Sequence, residues 1–162
     1  MPLCLCNFTT LSKAQKEMIL QWRNHERIRT YMFRQTPILG QEHTDFIEKL
    51  KGSLDRRYFL VQYESSDIGV IDFTHISSHS ATIGLYVNPY LNQKGLGSLL
   101  MSAILGYAKE TLNLSLLYAE AFATNTKAIH LYQKFGFFKV EEKEVNNQHI
   151  ICMERIDENR SF

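Results

Sequence analysis

Neither sign of charge is in excess in this chain: 18 Lys and Arg face 17 Asp and Glu, a formal net charge of +1. So even a balance excludes a general electrostatic attraction to nucleic acid or to an anionic membrane, and any anion must be recognised by a few local groups. Cysteine is sparse. Cys4, Cys6 and Cys152 fit neither a zinc-ligand spacing nor an even disulfide set, so no metal is expected and the thiols are expected to be buried in a reducing compartment. No run reaches the roughly 18 apolar residues of a spanning helix. The start, MPLCLCNFTT, has no basic leader ahead of an apolar segment, so the expected location is the cytoplasm. Repeats, linkers and low-complexity stretches are lacking too. The 162 residues read as one domain, 1–162, with the tail DENRSF expected to fray.

The pattern that remains is regular. Residues 3 to 9 suit a short strand, and AQKEMILQWRNHERI carries Met18, Ile19, Trp22 and Ile28 at helical spacing behind Ser12, a natural cap. Pro37 breaks the chain, and GQEHTDFIEKLKGSL resumes helical spacing through Phe46, Ile47 and Leu50, with Gly52 near its end. RYFLVQY, IGVIDFTHI and ATIGLYV are β-rich runs joined by the polar segments ESSD and SSHS, which predicts an antiparallel meander. A helix from Gly97 to Leu112, a strand in LLYAEAFA, a helix in NTKAIHLYQKF and a closing hairpin of FFKVEE and HIICMERI complete the chain. The class is therefore α/β, or α+β, with one mixed sheet and helices on both faces.

Chemistry concentrates at NQKGLG, residues 92 to 97. A helix beginning there has first-turn N–H groups without partners, and they point, with the positive end of the helix dipole, at whatever lies before them. That is a phosphate site. Gly95 and Gly97 would let a pyrophosphate approach the backbone, and Lys94 adds charge from the flank. The crossover from Leu85-Tyr86-Val87 to Tyr118-Ala119-Glu120 sets these glycines at the carboxyl end of a strand, where α/β sheets bind ligands. The spacing fits neither a Rossmann fingerprint nor a P-loop, which disfavours nucleotide hydrolysis.

YVNPYLNQKGLGSLLM resembles the acyl-CoA signature of the GCN5-related N-acetyltransferases (GNAT), and NTKAIHLYQKFGF resembles the closing motif of the same family. The element order agrees over about residues 3 to 156. One departure is Asn92, where Arg or Gln is usual; it removes a side-chain contact to pyrophosphate and keeps the backbone cradle. The resemblance implies acetyl-CoA as cosubstrate and a twisted, mostly antiparallel sheet of about seven strands. Its fourth and fifth strands would splay apart, with a bulge in the fourth. Leu85, Tyr86, Val87, Asn92, Gln93, Lys94, Gly95, Leu96, Gly97, Ser98, Asn125, Lys127, Ala128 and Tyr132 would then line the cofactor. Tyr132 would protonate the leaving thiolate, and Asn125 would both cap its helix and meet the pantetheine arm. Glu120 aligns with an acidic general base of many members. Asp72, a second carboxylate in an apolar strand, would contact the acceptor amine or share that role.

For the acceptor, the WRNH run, the segment EHTDFIEKL, the YFLV strand and GVIDF together resemble the N-acetyltransferases of bacterial pseudaminic acid synthesis. Those enzymes acetylate the 4-amino group of a UDP-linked 4-amino-4,6-dideoxy sugar, and the product goes on to glycosylate flagellin. The resemblance implies a nucleotide-sugar substrate contacted by Arg23, His43, Thr74, His75 and Tyr86. The alternatives are an N-terminal acetyltransferase of the ribosomal-protein type and a catalytically silent acyl-CoA sensor. Near-neutral charge and the Arg/His cluster favour an anionic small molecule over a basic peptide. The β-rich end from Phe138 to Ile156 offers an edge for a homodimer.

Overall fold

The computed structural model describes residues 3–157; Met1, Pro2 and residues 158–162, most of the tail expected to fray, lie outside the described residues. Strand β1 (Cys4–Asn7) leads through a single 3-10 turn into helix α1 (Lys13–Asn24). The Ser12 hydroxyl accepts the Gln15 N–H while the Gln15 side chain returns a bond to the Ser12 backbone, a reciprocal cap that starts the helix. Helical spacing continues past residue 24, yet the helix stops there. His25 is extended (φ −64°, ψ 139°) and its ring accepts the N–H of Arg27, so a separate short helix, α2 (Glu26–Arg29), begins. A loop then leads to α3 (Gly40–Leu50).

The meander follows as expected: β2 (Arg57–Tyr63), β3 (Ser66–Thr74) and β4 (Ser80–Val87). Glu64 and Ser65 both take positive φ, the two-residue turn whose twist suits a tight hairpin. Helix α4 (Leu96–Glu110) crosses over to β5 (Leu116–Phe122), and α5 (Thr126–Lys134) precedes the hairpin of β6 (Phe138–Val145) and β7 (Gln148–Ile156). All seven strands join one sheet in the order β1-β2-β3-β4-β5-β7-β6. Among the described residues only the β4/β5 pair is parallel.

Strand alternation sends successive side chains to opposite faces, and each face has its own core. Leu60 and Val70 pack with Phe8, Ile19, Trp22, Ile47 and Leu50 under α1 and α3. Ile71, Phe73 and Ile83 pack with Leu100, Met101 and Ile104 of α4 and with Tyr132 of α5. Among the described residues no helix is long and apolar enough to cross a membrane.

Two expectations are corrected. The thiols are not buried: Cys4 is exposed and Cys6 and Cys152 are half-buried, because β1 is an edge strand and Cys152 lines an open cleft. The fourth strand has no bulge either. Its register against β3 runs unbroken from Gly69↔Val87 to Thr74↔Thr82; the irregularities fall instead at Val61/Gln62 and Lys139/Glu141.

Candidate active site

β4 and β5 pair only from Ser80↔Leu116 to Thr82↔Tyr118, while β4 continues to Val87 and β5 to Phe122. Beyond the third pair the strands part. The Asn88 N–H donates to the Ile68 carbonyl at 2.9 Å, so backbone groups two residues apart from Asn88 also face β3. Those of Leu85 and Val87 then point the other way, into the split. Two backbone donors therefore line the gap without a bulge.

The split leads to the glycine turn. Gly95 caps α4 in the left-handed region at φ 84°, and the space around a Cβ there is empty. Its conformation, not crowding, requires glycine. Gly95→Ala is expected to lower stability by about 1–2 kcal/mol, read as a drop in thermal midpoint, and Gly95→Asn by less. Gly97 has another reason: a Cβ would sit 3.3 Å from Leu131 Cδ2, so glycine lets α4 lie close to α5. Asn92, Gln93 and Lys94 are exposed on the approach, and Leu96 anchors the first turn in the core.

Asn125 caps α5 by accepting the Ala128 N–H at 3.3 Å, with Lys127 exposed beside it. One cation escapes a reading of the sequence. Lys134 Nζ donates to Ser98 Oγ at 2.9 Å, which brings a positive charge to the first turn of α4 from 36 residues away in sequence. Only tertiary packing reveals it. Tyr132 is 5% exposed, its ring tilted against Phe137 at 5.4 Å. Its hydroxyl has no hydrogen-bond partner among the described residues, and burial, reinforced by the Asp72 charge, raises its pKa well above the usual tyrosine value.

The opposite face carries the acceptor side. Asp72 lies across from Tyr58 on β2 and Gly84 on β4. A Cβ on Gly84 would be 2.5 Å from Asp72 Oδ2, so the carboxylate occupies the room that glycine leaves. Burial pushes the Asp72 pKa up to about 7. Tyr58 and Tyr86 sit within reach of its charge, and burial raises both phenols. Arg23 from α1 faces the same two rings; desolvation lowers its pKa, its Nη2 donates to the Arg34 carbonyl at 3.3 Å, and its Nη1 is buried without a partner among the described residues.

The other residues of the WRNH run serve the scaffold. Trp22 is core, and Asn24 clamps Ile38 by donating to its carbonyl at 2.8 Å and accepting its N–H at 2.7 Å. His43 is buried with its Nε2 3.1 Å from the Lys16 carbonyl, a tie between α3 and α1. This hydrogen bond ties His43 to the scaffold and does not join it to the Arg23–Asp72 group. Thr74 lies opposite Thr82 at the closed end of the split, and His75 follows on the exposed loop with φ 51°. That is the far end of β4 from the glycine turn.

Glu120 also faces the α1–α3 side, since Phe122, two residues on, meets Phe33 of the preceding loop edge to face at 5.6 Å. It opens on a cleft of about 230 Å³ lined by Thr82, Tyr118, Lys143 and Cys152 among others. Unlike Asp72 it has a partner: Lys143 Nζ lies 3.1 Å from its Oε1.

A split parallel pair, a glycine turn at the start of a crossover helix and a buried tyrosine behind the split are thus joined in one chain. The sequence profile of the Acetyltransferase (GNAT) family matches residues 17–137. The chain belongs to this family. Among its GNAT relatives is the acetyltransferase PseH of Campylobacter jejuni subsp. jejuni, 39% identical over 153 residues that cover 94% of each chain. The crystal structure of Campylobacter jejuni PseH in complex with acetyl coenzyme A overlays with a TM-score of 0.75 at 34% identity, covering 93% of this chain and 97% of that one. A GNAT structure of spermidine N-acetyltransferase from Vibrio cholerae with CoA and spermine overlays with a higher TM-score, 0.84, at 24% identity and 95% coverage of both chains. The higher overlay reports the shared GNAT fold; sequence identity is greater for PseH.

Proposed function

We propose that the chain moves the acetyl group of acetyl-CoA directly to the 4-amino group of a UDP-linked 4-amino-4,6-dideoxy sugar, the step of pseudaminic acid synthesis that the relatives' name implies. The observation that carries the substrate class is Arg23, whose buried Nη1 has no partner among the described residues. An unmatched guanidinium donor beside two phenols and a carboxylate suits a ligand that brings both anionic or carbonyl oxygens and an ammonium group. A polyamine brings only cations, which the Arg23 guanidinium would repel.

On the cofactor side, the first-turn N–H groups of α4, with Lys94 and Lys134 nearby, hold the pyrophosphate. The Leu85 and Val87 N–H groups hold the pantetheine and the thioester carbonyl, and donate to the oxyanion as it forms. Asn125, Lys127 and Ala128 flank the arm at the start of α5. The amine enters from the α1–α3 side, so nucleophile and thioester meet in the gap. Tyr132 gives its proton to the departing thiolate. Thr74, His75 and Tyr86 lie along the acceptor face, and a second copy of the chain would pair at β6, the exposed sheet edge with Phe138, Val140 and Val145 unburied.

Coenzyme A thiol release is the assay. The amino-sugar nucleotide should give a kcat/KM at least about 100-fold above spermidine or an alanine-ended ribosomal-protein peptide, a difference of some 2.7 kcal/mol. Preference for either of those amines would replace this reading, and acetyl-CoA binding without turnover on any amine would mark a sensor. Arg23→Ala should raise KM for the sugar nucleotide at least about tenfold, the loss of one charge-assisted bond, and leave KM for acetyl-CoA unchanged. Equal small effects on both would take Arg23 out of the acceptor site.

A further inference from the structure

We propose that Asp72, and not Glu120, binds the acceptor ammonium and removes its proton, and that Gly84 is the residue that admits the carboxylate to the split. The inference rests on the acetyl-transfer reading above and decides between its two carboxylates.

Three observations carry it. The Asp72 carboxylate accepts no hydrogen bond and makes no ion pair among the described residues, and it lies half-buried between β2 and β4. A half-buried carboxylate in an apolar strand that has no protein partner is free to accept from a ligand. Glu120 is completed already by Lys143, with about a third of its side chain in solvent. Such a pairing occupies the oxygen that an acceptor ammonium would otherwise meet.

The second observation is steric. Asp72 Oδ2 and Oδ1 would lie 2.5 and 2.9 Å from a Cβ on Gly84. The carboxylate therefore lies against the backbone of β4 itself, two residues past Thr82, where pairing with β5 ends. Any side chain at position 84 would push it off this spot. Third, the titratable groups near Asp72 on its own face are the phenols Tyr58 from β2 and Tyr86 from β4, with the Arg23 guanidinium of α1 behind them, while the Tyr132 phenol of α5 senses the Asp72 charge from the opposite face. Among the described residues no lysine or arginine pairs with it, so the acceptor can bring the missing cation. The raised pKa agrees with this, since a base poised near neutrality can take and release a proton at the working pH.

Asp72 takes one proton from the acceptor ammonium, and the neutral amine attacks the thioester carbonyl, forming the C–N bond. The C–S bond breaks as Tyr132 passes its proton to sulfur, and the new amide nitrogen loses a proton that restores the phenol. Asp72 returns its proton to solvent, so each turnover releases one proton, one coenzyme A thiol and one acetamide.

The test compares Asp72→Asn, Glu120→Gln and the parent protein by thiol release with the amino-sugar nucleotide from pH 5.5 to 9, with acetyl-CoA affinity measured alongside. The parent's kcat/KM should rise with pH through a midpoint near 7 contributed by Asp72, in addition to that of the substrate amine, which is common to all three proteins. Asp72→Asn should lose that midpoint and fall about 100-fold or more in kcat/KM, with acetyl-CoA affinity kept. Glu120→Gln should keep the midpoint. Gly84→Ala, which displaces the carboxylate without removing it, should also lower kcat/KM and shift the midpoint. Loss of the midpoint in Glu120→Gln and its survival in Asp72→Asn would overturn the assignment. A parent protein inactive on the sugar and active on another amine would overturn the substrate reading instead, and the same three profiles on that amine would still decide which carboxylate is the base.

Discussion

Tyr132→Phe is expected to lower kcat by about 100-fold or more, the usual worth of an acid–base group, while acetyl-CoA binds as before. The ring is buried against Phe137, so phenylalanine keeps the packing and deletes one oxygen. Among the described residues that oxygen has no hydrogen bond to lose, which removes the ordinary reason for destabilisation. Burial and the Asp72 charge both hold the proton on the phenol, so the acid is in its active form across the neutral range. The measurement is single-turnover acetyl transfer at saturating cosubstrates, with acetyl-CoA affinity determined separately. A mutant with unchanged turnover would show that the thiolate takes its proton from elsewhere.

The second large effect is on stability. An aspartate has an unfolded pKa near 3.9, and burial raises the folded value to about 7. Between those values the unfolded chain releases a proton that the folded protein retains. Stability is therefore fullest below about pH 4 and is lost as pH rises to about 7, after which it levels off. Three units correspond to no more than about 4 kcal/mol, reduced by whatever water reaches the carboxylate. Asp72→Asn removes the ionisation and should raise the thermal midpoint clearly at pH 8 and hardly at pH 4. This is the stability cost expected where a site is built for function. An equal gain at both pH values would mean that the carboxylate is not desolvated.

Much of this was legible before any coordinates. Helical and two-residue periodicities marked the element order, because the sheet has one helical layer on each face and each layer imposes its own spacing. The glycine turn was legible too, though for partly different reasons: Gly95 answers to a positive φ and Gly97 to Leu131. The break at His25 was hidden, since a histidine cap inside continuous helical spacing leaves no compositional mark. Ranking the carboxylates was out of reach for a stronger reason. Lys143 meets Glu120 from 23 residues away on another strand, and the Asp72–Gly84 pairing depends on the register set by the loop between β3 and β4. The bulge expected in β4 came from family resemblance, and the unbroken ladder shows that a split alone turns the Leu85 and Val87 donors outward.

The central claim, that acetyl passes in the β4/β5 split from a thioester on one side to a sugar amine on the other, is tested most directly by following a carbon-13 acetyl label from acetyl-CoA by NMR in the presence of the amino-sugar nucleotide. The account predicts one new labelled acetamide on the 4-nitrogen, with the nucleotide still attached and no label retained on the protein. Label on a protein side chain, or label remaining on coenzyme A while another amine is acetylated readily, would contradict it.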